Sequence, residues 1–151
     1  IGSGPDKFRQ PNLLEIVMSA PVIYLTELDL TRLENAAARA GSNSPLAELV
    51  DDLIARANVV PGNKVPANVV TMNSVVRVAD DAGAAQEWTL VYPEEANVAS
   101  AKLSVLSPMG AALLGQREGR SVKYTAPNGV KHSLRIERIA FQPEASGQHT
   151  L

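Results

Sequence analysis

Two adjacent carboxylate pairs, Asp51-Asp52 and Glu94-Glu95, are the first groups in this sequence that could hold a cation or share a proton. Neighbouring residues on a helix point about 100° apart, so Asp51 and Asp52 cannot both turn to one metal ion, and a solvated face is the better reading. His132 and His149 stand alone, the first in a strand pattern beside Lys131 and the second near the end of the chain, and both read as surface histidines. The string from Gly110 to Gly115 (GAALLG) has the glycine spacing that opens a phosphate loop. Gln116-Arg117 follows, however, where Lys and Ser or Thr would have to grip phosphate and magnesium, so a capped helix packing Leu113 and Leu114 is expected instead. No G-x-S-x-G elbow, H-E-x-x-H pair or EF-hand spacing occurs. We expect no catalytic residue, no metal ligand set and no cofactor. The sharpest charge asymmetry lies between Arg117 and Arg138, where Arg117, Arg120, Lys123, Lys131, Arg135 and Arg138 face only Glu118 and Glu137. Such a stretch suits an acidic partner or a phosphate, or simply the solvated side of a hairpin.

Composition narrows the classes further. Without a single cysteine, disulfide frameworks, thiol nucleophiles, zinc fingers and iron–sulfur clusters are excluded together, and a reducing compartment is suggested. A formal net charge of −2 provides no global field for nucleic acid or an anionic membrane, so no direct sequence-specific DNA binding is expected. No apolar run approaches the roughly 20 residues a membrane helix requires, and a cytoplasmic chain is expected. The 151 residues, 45% hydrophobic and 20% charged, leave room for one core and a small appendage.

The elements can be read from periodicity. Residues 1–21 carry Gly-Ser-Gly and prolines and hold no sustained period, so they read as a disordered leader or extension, with Met18 as a second beginning. From Tyr24 the pattern turns helical, with Leu30, Leu33, Ala37 and Ala40 at helical steps behind Thr26 or Asp29 as cap. Gly41 stops that helix. Ser44-Pro45 caps a second, whose stripe is Leu46, Leu49, Val50, Leu53, Ile54 and Ala57. The link Gly41-Ser42-Asn43-Ser44 is short enough to fold the two helices antiparallel over residues 22–64. Pro61 to Pro66 marks the best domain boundary, and the 65–151 segment then changes to a period of two. Strands are expected over 69–79 (interrupted at Asn73-Ser74), 88–92, 102–106, 122–126 and 130–141. Asp80 to Gly83 and Asn128-Gly129 should form the turns, the latter of type I′, and a bulge near Glu137-Arg138 should absorb a change of parity. Ser107-Pro108 starts a short helix that ends at Gly115. The fold class is thus α+β, a short helical hairpin followed by a bent antiparallel sheet with one small helix.

Four strings carry more than periodicity: Asn68 to Ser74 (NVVTMNS), Thr89 to Pro93 (TLVYP), Leu103 to Gly115 (LSVLSPMGAALLG) and Phe141 to Ala145 (FQPEA). In order and spacing they resemble the Rnk family, the regulators of nucleoside diphosphate kinase, which is itself similar to the transcript cleavage factors GreA and GreB. The resemblance covers roughly residues 22–151. It implies an N-terminal antiparallel coiled coil, an FKBP-like C-terminal domain and binding to RNA polymerase at the rim of the secondary channel. In the Gre family the loop corresponding to Ser107-Pro108-Met109 helps make that contact. Cleavage factors also carry acidic residues at the coiled-coil tip, which can hold a second magnesium ion. Here the tip, Gly41-Ser42-Asn43-Ser44, has no carboxylate. The resemblance therefore implies a non-catalytic polymerase regulator that competes with Gre factors. Direct or indirect regulation of nucleoside diphosphate kinase is a second reading. Peptidyl-prolyl isomerase activity is a third, resting on fold alone.

Overall fold

The computed structural model describes residues 23–147; the extension expected at 1–21 and the lone His149 lie outside them. The chain begins with a strand, β1 (Ile23–Thr26), then α1 (Glu27–Ala40), α2 (Pro45–Arg56) and β2 (Ala57–Val60). Thr26 Oγ1 accepts from the Asp29 amide at 3.0 Å and caps α1, while Ser44 Oγ accepts from Ala47 at 3.1 Å and caps α2 behind Pro45. Leu33, Ala36 and Ala37 of α1 and Leu46, Val50 and Leu53 of α2 bury their shared seam.

Two expectations about this part change. The helical reading from Tyr24 to Asn58 is too generous at both ends, because β1 and β2 pair in parallel, with Ile23 opposite Ala57 and Thr26 opposite Val60. Ile23 and Leu25 alternate into the core as strand residues do, a pattern too short to see beside the helical stripe that follows. Ile54, expected on the inner stripe, is half exposed.

The second part is a five-stranded sheet in the order β5-β4-β3-β7-β6, formed by β3 (Val75–Asp80), β4 (Ala85–Val91), β5 (Lys102–Ser104), β6 (Ser121–Thr125) and β7 (Lys131–Phe141). A short helix, α3 (Pro108–Leu113), sits between β5 and β6. The sheet is not wholly antiparallel as expected: β5 runs parallel to β4, because the chain from Tyr92 to Ala101 crosses back through two 3₁₀ turns before pairing. The expected strand over 69–79 begins only at Val75. Before it, the Thr71 amide bonds Ser74 Oγ at 2.9 Å and Asn73 adopts a left-handed φ of 67°, so this segment is a wound loop. The bulge expected near Glu137 is present, since Arg77 pairs Arg138 and Val78 pairs Ile136; a second shift falls at Ala140. The β6–β7 turn is not type I′. Pro127 fixes a negative φ at the first turn position, and the loop closes through Gly129 N to Ala126 O and Ala126 N to Val130 O, with Gly129 at φ 83°.

One apolar core joins the two parts. Ile23, Leu25 and Leu33 pack in the same cluster as Val70, Met72, Leu113, Leu114 and Ile136. Gly115 is the closest join: its amide donates to Val70 O at 2.9 Å, its carbonyl accepts from Tyr24 N at 3.2 Å, and a Cβ there would lie 2.9 Å from Tyr24 O. Only glycine fits at that position, with its φ of 83°. Among the described residues no helix is long and apolar enough to cross a membrane.

Candidate functional site

The loop before α3 is held by hydroxyls. Ser107 Oγ accepts from the Gly110 amide at 3.0 Å and donates to Ser104 O at 2.7 Å, and Ser104 Oγ in turn accepts from Leu106 N at 3.0 Å. A Cβ on Gly110 would overlap the Ser104 carbonyl oxygen, so the first turn of α3 sits directly on the end of β5. Pro108 is exposed at the first helical position, and Met109 is half-buried against the core. A rigid loop thus presents one apolar ring and part of a thioether side chain. Leu113 and Leu114 are buried, as expected of the GAALLG string read as a helix rather than a phosphate loop.

The hairpin tip runs through Gly41, Ser42, Asn43 and Ser44, with Ser42 and Asn43 exposed and Ser44 Oγ committed to the α2 cap. Of the two predicted features, Ser44 of the tip and Leu106, the residue before Ser107, border one cleft, while Ser107, Pro108 and Met109 do not line it. Ala40, Ser44, Pro45 and Leu46 from the hairpin, with Pro93, Glu94 and Leu106 from the sheet side, line an open, mainly apolar cleft of about 520 Å³. It does not bring the carboxylate pairs together. Asp52 is occupied by Arg56 one turn on, at 2.9 Å, Asp51 lies over the outer groove between α1 and α2, and Glu94 sits on the cleft rim.

Sequence reasoning missed Asp29. Considered only as a cap, it is 2% exposed on the buried side of α1, and its Oδ2 accepts from the Met72 amide at 3.0 Å, across 43 positions of chain. Burial pushes its carboxyl up to about 7 from 3.8, and the nearby Glu144 adds to this, while the Met72 and Thr26 hydrogen bonds and Arg32 oppose it. Burial also holds the Tyr92 phenol well above the usual tyrosine range, with Asp29 contributing. No local signal could have found Asp29, since its partner is a backbone amide in the wound loop.

That loop is pinned by the segment that follows β7. Thr71 Oγ1 donates to Glu144 Oε1 at 2.7 Å, and Gln142 Nε2 donates to Pro66 O and Val69 O, each at 2.8 Å. The VVTMNS and FQPEA strings therefore meet in space. Arg117, one of the basic residues of the C-terminal stretch, donates to Tyr24 Oη at 3.0 Å and lies 5.1 Å from the centre of its ring, so it serves the join with β1.

Comparison with known proteins is consistent with this layout. The family model described as transcription elongation factor GreA/GreB, C-terminal, matches residues 65–141. A regulator of nucleoside diphosphate kinase from Escherichia coli (strain K12) is 36% identical over 136 residues, which is 89% of this chain and all of that protein. A transcription elongation factor GreA from Nitratidesulfovibrio vulgaris (strain DSM 19637 / Miyazaki F) is 33% identical over 108 residues, 71% of this chain and 67% of that factor. Among solved structures, a transcription elongation factor GreA/GreB from Nitrosomonas europaea superposes with a TM-score of 0.64 at 33% identity, covering 79% of this chain and 99% of that one. With helices leading into a curled sheet, a family model matching residues 65–141 and a relative matched over 89% of this chain, the chain belongs to the GreA/GreB transcription elongation factor family, on the branch of the regulators of nucleoside diphosphate kinase.

Proposed function

We propose that this chain is a non-cleaving regulator that binds RNA polymerase near the secondary channel and competes there with Gre-type factors. The observation that carries the reading is a GreA/GreB-family chain whose hairpin tip, Gly41 to Ser44, offers no carboxylate. Magnesium is a hard cation held by anionic oxygens, and neutral hydroxyl and amide groups on exposed Ser42 and Asn43 bind it too weakly to replace them. Helices α1 and α2, of 14 and 12 residues, are about 21 and 18 Å long at 1.5 Å per residue, too short for a deep coiled-coil insertion. In this proposal the hairpin is a truncated coiled coil and the sheet an FKBP-like docking domain.

Ser107, Pro108 and Met109 form the polymerase contact. Their loop is already fixed by the Ser107 and Ser104 hydroxyls, so little conformational entropy is lost on docking, and exposed Pro108 with half-buried Met109 supplies adaptable apolar area. The test is retention of RNA polymerase by the immobilised chain. Binding by the wild type and its loss in a folded Met109→Asp variant support the contact. Unchanged retention by that variant removes the loop from the interface.

A second reading rests on one specific observation, the name of the relative matched over its whole length: this chain regulates nucleoside diphosphate kinase, directly or through expression. Retention of the kinase in place of polymerase subunits in the same experiment would favour it.

A further inference from the structure

The basic stretch of the C-terminal part is sorted by the sheet into one face. Val122, Leu134 and Ile136 point to the core, so Ser121, Lys123 and Thr125 on β6 and Lys131, Ser133 and Arg135 on β7 point outward. The bulge at Glu137 resets the parity and keeps Arg138 on the same outer face, opposite Arg77 of β3. Lys123, Lys131, Arg135, Arg138 and Arg77 are all exposed. Near them stand Glu137, which pairs with Arg77 at 3.1 Å, Glu87 opposite Arg77 on β4, and Asp81 of the β3–β4 turn, which borders Lys123 and Lys131. Among the described residues Lys123, Lys131, Arg135 and Arg138 have no ion pair. On a chain of net charge −2 this is a local positive surface, and it keeps Arg77 directly across from Arg138, a like-charge pairing that works against sheet stability.

The occupant follows from what lies between the cations. Ser121, Thr125, Ser133 and Ala79 separate the cations of β6 and β7, and the half-buried Val75 and Phe141, paired on the same face, lie at its far end beyond Arg77 and Arg138, so no large apolar residue stands among the cations to anchor a protein partner in a desolvated pocket. Tyr124 and His132, stacked on each other at 5.1 Å, alternate to the opposite face with Val122 and Leu134 and reach only the hollow at the sheet edge that Asp81, Lys123 and Lys131 also line, so no ring stands free among the cations to stack an unpaired base. Arg77 and Arg138 stand directly opposite, about 5 Å apart, Lys123 lies diagonal to Lys131 and Arg135 at about 8 Å, and Lys131 and Arg135 are four residues, about 13 Å, apart along β7, so one face reaches several phosphates of a duplex at once. We propose that the outer face of β3, β7 and β6 is a sequence-independent binding surface for the phosphate backbone of double-stranded DNA. This inference stands apart from the polymerase reading, since it concerns the free protein and a different set of residues from the docking loop.

Fluorescence anisotropy of a labelled duplex of about 20 base pairs, titrated with the full chain at low salt, tests it. The expected result is weak but measurable binding with a log–log salt slope of about −3 to −4, one unit for each contacted phosphate. Lys123→Gln with Arg135→Gln should weaken binding about tenfold and flatten that slope by about 2. Arg56→Gln with Lys64→Gln removes the same charge from exposed positions outside the sheet and should change affinity by less than about twofold. No binding at low salt, equal losses from the two double variants, tighter binding of a single strand than of the duplex, or tighter binding of a polyglutamate of matched charge than of the duplex would each overturn the proposal. The last result would assign the face to an acidic protein.

Discussion

Asp29 couples the protonation of one buried carboxyl to the join between the helical hairpin and the sheet. Its pKa is raised from 3.8 to about 7 in the fold, so the native state binds the proton more tightly than the unfolded chain does. Stability from this group is therefore greatest below about pH 4, falls as pH rises through 7, and is level above that. At about 1.4 kcal/mol per unit, the loss is on the order of 4 kcal/mol between those limits. Asn at this position keeps an oxygen for the Met72 amide and cannot ionise. We expect Asp29→Asn to remove that decline, so that urea unfolding of the two proteins converges at pH 4 and the variant is the more stable at pH 8. Parallel pH profiles would show that Asp29 does not carry the dependence. Ser107 makes a smaller contribution of another kind. Ser107→Ala removes the cap of α3 and the bond to Ser104 O, and should lower stability by about 1 kcal/mol in denaturant melts while weakening polymerase retention more than a surface substitution would.

At the scale of elements, the seam between α1 and α2 and the join with β1 are what hold the hairpin in place. Leu33 is fully buried in the cluster that also holds Leu53 and Met72, so Leu33→Ala should cost about 2–5 kcal/mol in chemical denaturation, whereas Ile54→Ala, at a half-exposed position, should cost under about 1 kcal/mol. Much of this layer was legible in the sequence. The caps at Thr26, Ser44 and Ser107, the stop at Gly41 and the bulge at Glu137 all rest on local chemistry, and each is found where local chemistry puts it. What was not legible depends on distant partners. Strands β1 and β2 are four residues each and exist because they pair with each other across the whole hairpin. The parallel placement of β5 needs the crossover from Tyr92 to Ala101, and the burial of Asp29 needs the Met72 amide. The turn at Asn128-Gly129 was misread for a local reason, because Pro127 overrides the preference of Asn-Gly for the primed turn. As for the candidate site, the tip and the Ser107 loop were visible as strings, while the cleft between the hairpin and Leu106 was not, because it needs the packing of distant elements.

For the whole molecule, the change of pattern at Pro61 to Pro66 separates two kinds of secondary structure across which one core is continuous. We propose that 22–64 and 65–151 nonetheless differ in autonomy. The hairpin, with about 40 residues and one seam, should stay unfolded when isolated. The 65–151 segment, carrying its own sheet, should fold, but with a lower melting temperature once Ile23 and Leu25 no longer cover Val70 and Met72. A cooperative transition in the hairpin fragment alone would reverse that assignment. The proposed role at the polymerase is tested most directly with a backtracked transcription complex. Added alone, the protein should leave the transcript uncut, and at high concentration it should slow cleavage promoted by an added Gre factor. Ser42→Asp with Asn43→Glu should still not cut, because under the proposed docking a hairpin of this length would leave the tip beyond reach of the reacting phosphate, where catalysis demands close placement. Cleavage by the unmodified chain, or Gre-promoted cleavage that proceeds undiminished at every concentration of it, would contradict the account.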